Sequence, residues 1–320
     1  MMFDKILKPE IFQGKLNLKN YFEGWYYKYL SEDKKTSLVF IPGISTNLSD
    51  PHAFIQVYIT SDSKTNTYYI RYPLKSFVHS KNEMIISIGK SAFKVDSLFV
   101  DINTNELDIQ VHLKHNNLTR IKRNFLSPNI MGPFAFVPFM ETKHGVISML
   151  HEVSGSAILN KKVVSFNNSK GYLEKDWGKS FPSSYLWLQA NYFNDVKSSF
   201  FCSYAKIPFL GFSFKGFICL LNYNQKEYRF ATYNFSSFKI LNYSQKAVEL
   251  KIKKGKLTLL VRSSSSEFSK LPSPKNGMMS QKIKETLKGR LELELYKGKK
   301  MIYSDKSENA GMELMLRNFS

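Results

Sequence analysis

Three short spans crowd aromatic rings, amides and ionisable groups together: YFEGWYYK at 21–28, PFMETKHGVISMLHEVSG at 138–155, and GYLEKDWGKSFPSSYLWLQANYF at 171–193. In the third, an extended chain sets Glu174 and Asp176 on one face and Lys175 and Trp177 on the other, because side chains alternate along a strand. Two neighbouring carboxylates cannot both ionise comfortably in apolar surroundings, so one can keep its proton near neutrality and act as an acid. The competing reading, which spacing alone favours, is a surface turn with both carboxylates solvated or paired with Lys175 and Lys179. Downstream, Tyr185, Trp187, Gln189 and Asn191 share a parity. Two ring faces and two amides on one side suit a pocket wall for a ring with oxygen substituents. Plain barrel core is the commoner use of such a stripe, although buried amides need partners. His144 and His151 stand seven apart with Glu141 and Glu152 nearby; neither spacing is diagnostic of a metal site, and no metal is expected.

These groups must be positioned by strands. Short runs rich in β-branched and aromatic residues recur between Asn, Asp, Gly, Ser and Lys turns, as at 37–41, 53–60, 67–72, 107–113, 146–150, 186–193, 200–207, 248–252 and 257–261. Residues 290–296, the turn KGKK and 301–304 read as a hairpin. One short helix is predicted over 281–288, with Ser280 as N-cap, Ile283 and Leu287 on one face and Gly289 as the stop. The expected fold is all-β: two antiparallel β-barrel or sandwich halves with one or two short helices. The polar stretch 159–169 divides an N-terminal half at 1–165 from a C-terminal half at 166–320, and 263–277 reads as a flexible segment. Walker loops, dinucleotide glycine fingerprints, paired CxxC and HExxH are all absent from the sequence.

Composition bounds the setting. Aromatics make up 15% of the 320 residues, which favours strands and large apolar surfaces over disorder. Asp4 and Pro9 interrupt any signal-peptide core, and the most apolar stretch, 207–221, falls short of the roughly 20 apolar residues that span a bilayer. Two cysteines, Cys202 and Cys219, fit free thiols on buried strands, and a cytoplasmic location is expected. Half of the +20 net charge comes from 241–300, where fifteen Lys or Arg face five Glu, scattered singly. A solvated lysine surface is the favoured reading; peripheral contact with anionic membrane comes second and nucleic acid a distant third.

FEGWYYK, the stretch 141–145, and above all GYLEKDWGKSFPSSYLWLQANYF resemble the tocopherol cyclase family, in similar order along the chain from Phe22 to the AGMEL segment at 310–314. The resemblance implies two lipocalin-like halves. It also implies closure of a ring by adding a phenolic hydroxyl across a prenyl double bond, without redox change or cofactor. Such chemistry needs an acid, a dry pocket, rings that steady a tertiary cation, and a group to take the phenol proton. Carried onto this chain, the resemblance makes Glu174 or Asp176 the acid, and Trp25, Trp177 and Trp187 the cation-stabilising rings. Gln189 and Asn191 become the grip on the quinol oxygens, and Glu23, Glu141 and His144 further acid or base candidates. The chain departs from the pattern at Asp176, where the plant cyclases have Asn, and at Tyr185, where Trp is usual; His151 and Glu152 have no clear counterpart, and no plastid-type leader precedes Phe3. Glu174 is thus the safer acid. A prenylated quinol or related isoprenoid is the expected substrate, and a lipocalin-like protein that carries an apolar ligand without chemistry is the alternative.

Overall fold

The computed structural model describes residues 2–61, 64–138, 140–209 and 212–317. Strand alternation dominates, and the chain is nearly all β, with two large antiparallel sheets, one of them a nearly closed barrel. The described residues contain one α-helix, α1 (Met2–Leu7), and short 3-10 turns.

The first sheet contains β1 (Phe22–Leu30), β2 (Ser37–Ser45), β3 (His52–Ser61), β4 (Lys64–Pro73), β5 (Phe77–His79), β6 (Ile85–Ile88), β7 (Ser91–Lys94), β8 (Ser97–Asn103), β9 (Asp108–Thr119), β10 (Thr142–Leu159), β11 (Lys162–Ser165) and β12 (Ser169–Gly178). Its order is β4-β3-β2-β1-β12-β10-β9-β8-β7-β6-β5, with β11 on β10. The second contains β13 (Tyr185–Ala190), β14 (Ser199–Phe209), β15 (Phe212–Tyr223), β16 (Lys226–Ala231), β17 (Ser237–Tyr243), β18 (Ala247–Lys254), β19 (Leu257–Ser264), β20 (Ser269–Lys275), β21 (Met278–Lys297) and β22 (Lys300–Met315). Its order is β16-β15-β14-β13-β22-β21-β19-β18-β17, with β20 on β21.

The chain divides into two compact units, 1–181 with 272–281, and 182–271 with 282–320. The boundary falls after Phe181 instead of at 165/166, because β12 pairs with both β1 and β10 and so carries the EKDWG segment in the first unit. The stretch 159–169 is no linker. Asn160 and Lys161, both at positive φ (46° and 69°), turn β10 tightly back onto β11. The expected flexible segment 263–277 contains β20.

The helix expected at 281–288 is strand instead. Ile283 and Leu287 are four apart, a spacing that satisfies the helical period and the strand period equally, and pairing of Glu285 with Glu313 and Thr286 with Met312 decides for the strand. Gly289 sits at a register shift opposite Ala310, where an added Cβ would lie 2.9 Å from the Ala310 carbonyl oxygen. Each unit has its own apolar core. In the first it includes Trp25, Tyr27, Phe40, Ile55, Phe93, Leu113 and Leu173. In the second it includes Leu186, Leu188, Phe200, Cys202, Cys219, Leu250 and Leu293, and both thiols are free and buried.

Candidate active site

The spans 21–28 and 171–178 and the part of 138–155 from residue 142 onward are neighbouring strands in the middle of the first sheet. Register places Trp25 opposite Lys175, Glu23 opposite Trp177 and Tyr26 opposite Glu174; on the other side, His144 lies opposite Asp176 and Val146 opposite Glu174. Alternation then sorts these side chains onto two faces with different work.

One face presents Leu173, Lys175 and Trp177 beside Glu23, Trp25 and Tyr27. Lys175 is fully buried. Its Nζ lies 2.5 Å from Glu23 Oε1 and donates to the carbonyls of Pro9, at 2.9 Å, and Ile11. It also sits 4.6 Å from the Trp25 ring centre and 4.9 Å from that of Trp177. Glu23 accepts from Gln13 N at 2.8 Å, Gly14 N at 3.0 Å and the Tyr21 hydroxyl, and Trp25 Nε1 donates to Glu10 O at 2.7 Å. The cation that these two indoles meet is therefore the lysine ammonium, and Glu23 is saturated by residues 13–23. This face fastens the N-terminal segment to the sheet. Burial pushes the ammonium pKa down to about 8, against the pull of Glu23.

The opposite face gathers Tyr172, Glu174 and Asp176 from β12 and His144 from β10. His144 Nδ1 is 2.8 Å from Asp176 Oδ1 and Nε2 is 3.4 Å from Glu174 Oε2; Tyr172 donates its hydroxyl to Glu174 Oε2 at 2.5 Å. Burial alone would push the imidazolium down, but the charges of Asp176 and Glu174 and the Asp176 hydrogen bond outweigh it, holding the pKa up at about 9. Burial, with the Glu174 charge beside it, keeps the Tyr172 phenol protonated well above its ordinary range. Glu174 is buried and Asp176 half-buried, so the surface-turn reading of this pair does not hold. The cluster is an imidazolium bracketed by two carboxylates, one of them gripped by a phenol. It can deliver a proton from one oxygen and take one back at another. His144, Glu174 and Asp176 also offer one ligand atom each within 4.8 Å of one another, so a divalent cation would compete there with the proton on His144.

Other expected residues lie apart from this cluster. Glu141 is exposed just before β10, and it is its backbone carbonyl that accepts from Lys179 N, at 2.7 Å. Gly178, at φ +146°, is required here, since a Cβ would meet the Glu141 carbonyl at 2.1 Å. Phe139 lies outside the described residues. His151, an odd seven residues beyond His144, lies opposite Gly171 on the other face of the sheet: its Nδ1 meets Ser148 Oγ at 3.0 Å and its ring lies 4.5 Å from His115. His144 and His151 therefore do not share a site. Sequence reasoning missed Tyr172, although its parity with Glu174 within GYLEKDW was readable.

In the second unit, Tyr185, Trp187 and Gln189 share one buried face of β13, as their parity requires, while Leu186, Leu188 and Ala190 join the apolar core. Asn191, also buried, lies just past the strand. Tyr185 donates to Glu313 Oε2 at 2.5 Å, and Glu313, on β22, lies opposite Trp187 of β13 on one side and Glu285 of β21 on the other. Glu285 and Glu313 are both buried, and neither was singled out from the sequence. A cleft of about 310 Å³ in this unit, bordered by Asn242, Glu249, Arg262, Arg290 and Glu292, includes none of the expected site residues.

No helix among the described residues is long and apolar enough to cross a membrane. No sequence among the curated proteins matches the chain. Solved structures share its fold, among them the following three. An AttH protein of Nitrosomonas europaea aligns over 92% of this chain and 93% of its own, with TM-score 0.53 and 12% identity. CghA bound to Sch210972 aligns over 93% and 89%, with TM-score 0.60 and 7% identity. Kievitone hydratase of Nectria haematococca aligns over 96% and 94%, with TM-score 0.53 and 11% identity. The family model for tocopherol cyclase-like proteins matches residues 127–315, from ahead of β10 through β22 and hence across the whole EKDWG segment, and the chain belongs to the tocopherol cyclase-like family.

Proposed function

We propose that the protein is a cyclase- or hydratase-type enzyme that adds an O–H group across the double bond of a prenylated quinol or related isoprenoid. The observation that carries this reading is the His144 ring held between Glu174 and Asp176, with Tyr172 on Glu174. A proton passes from the imidazolium to Glu174 and from Glu174 to the less substituted alkene carbon. The resulting tertiary cation is captured by the oxygen of a phenolic hydroxyl, which closes a ring, or of water, which gives an alcohol. The proton released from that oxygen returns to the cluster at Asp176. Protons balance over the cycle and no electron changes hands, so the reaction calls for no redox partner. Family membership and the likeness to a hydratase support this chemistry; the isoprenoid substrate is the proposal's finer part. Within the second unit, Tyr185, Trp187, Gln189 and Asn191 are assigned to ligand contact.

The test is conversion of a prenylated quinol in D₂O, with mass spectrometry of the product. One deuterium on carbon is expected, and Glu174→Gln should slow turnover by about 100-fold or more while leaving ligand affinity near wild type. Unchanged turnover in that variant rules Glu174 out as the acid. A wild-type protein that binds the quinol and returns it unaltered is a carrier.

A further inference from the structure

The chain between β9 and β10 carries a feature that the site does not use. Asn124 and Ser127 close a tight turn, each backbone N–H donating to the other's carbonyl at 3.1 Å, while Asn124 Oδ1 accepts a second bond from Ser127 N at 2.8 Å. The two residues at its tip are Phe125, 89% exposed, and Leu126, 70% exposed. Turn tips ordinarily carry Gly, Asn, Asp or Ser, and a rigidly closed turn that holds a phenylalanine and a leucine out in water gains nothing from them in the folded chain.

The surroundings are basic. Arg120, Lys122 and Arg123 occupy the leg before the tip, all exposed. Arg123 donates to Leu7 O at 2.5 Å and Asn129 Nδ2 to Ile6 O at 3.0 Å, so both legs are tied to the end of α1, where Leu7 is 52% exposed and Lys8 follows. The opposing acids are Glu10, 3.9 Å from Arg120 and 3.8 Å from Arg123, and Asp4 of α1, whose charge acts on Lys8. Lys8, Arg120, Lys122 and Arg123 outnumber them.

We infer that the Phe125–Leu126 turn and its basic collar dock the protein on an anionic lipid bilayer. An apolar tip of two or three side chains is far smaller than the roughly 800 Å² per partner that a stable protein interface buries, whereas a bilayer needs only shallow insertion plus unspecific attraction of the cations around it. The inference stands on this surface alone and is independent of the chemistry assigned to His144 and Glu174.

Co-sedimentation with phosphatidylcholine vesicles, with and without phosphatidylserine, tests it. Binding should require phosphatidylserine and weaken as salt rises. Phe125→Ser with Leu126→Ser should lower the partition coefficient by about 100-fold. Arg120→Gln with Lys122→Gln should lower it by about fivefold per charge removed. Full binding by the serine variant, or equal binding to vesicles without phosphatidylserine, overturns the proposal. So does a dimer in light scattering that the serine variant abolishes, because the tip would then be a self-association surface. Turnover of detergent-solubilised quinol by the serine variant should match wild type, which separates failure of docking from failure of the catalytic reading.

Discussion

The His144 cluster makes stability depend on pH in a way that can be calculated. An imidazole whose pKa rises from 6.5 to about 9 on folding stabilises the native state fully below the lower value and loses that contribution as pH climbs through the higher one. The shift corresponds to about 3 kcal/mol in all, of which about 2 kcal/mol is lost between pH 6.5 and 8. That interval is the clean window, because above about pH 8 the buried Lys175, whose own pKa is depressed to about 8, contributes in the opposite sense. Its folded form releases a proton that the unfolded chain still holds, so stability gained there offsets part of the His144 loss. Urea unfolding followed by tryptophan fluorescence at half-unit steps from pH 6 to 8.5, for wild type and His144→Gln, measures the difference directly. The stability of wild type relative to the variant should fall through the window, and an NMR titration of His144 should show the imidazolium persisting above pH 8. Parallel curves for the two proteins would refute the bracketed imidazolium, and with it the proton store invoked for catalysis.

Other outcomes follow from the two faces of β12. Replacing Lys175 with Met strands Glu23 in a dry core and should cost about 3–5 kcal/mol, whereas the double replacement with Glu23→Gln should recover much of that loss; equal destabilisation in calorimetry would show that the pair is uncoupled. At low pH, His115, which burial holds at about 4, and His151, which burial and the neighbouring His115 hold well below the ordinary range, stay neutral in the fold but take up protons in the unfolded chain, so stability should fall as pH drops from 6.5 toward 4 and His115→Phe should blunt the fall. Trp187→Ala should weaken ligand binding as well as rate, read by fluorescence titration and turnover; intact affinity would place this ring outside the ligand's reach.

The sequence by itself determined a good deal. Alternating apolar and polar residues set the all-β class, and parity alone separated Glu174 and Asp176 from Lys175 and Trp177, and Tyr185, Trp187 and Gln189 from the core residues between them, because a strand's side chains have a period of two whatever surrounds it. The same local rule failed at 281–288, where residues four apart fit helix and strand alike and only cross-strand pairing with 310–313 could choose. It was also silent on partnership. Nothing local says that β1 and β10 flank β12, so the meeting of His144 with Glu174 and Asp176, and of Glu23 and Trp25 with Lys175, was a decision of long-range strand order. That order also made Trp25 and Trp177 partners of a buried ammonium, and it moved the EKDWG segment into the first unit. Side-chain facing is a property of neighbouring residues along the chain, whereas the electrostatic state of a group depends on which strands the tertiary structure lays beside it.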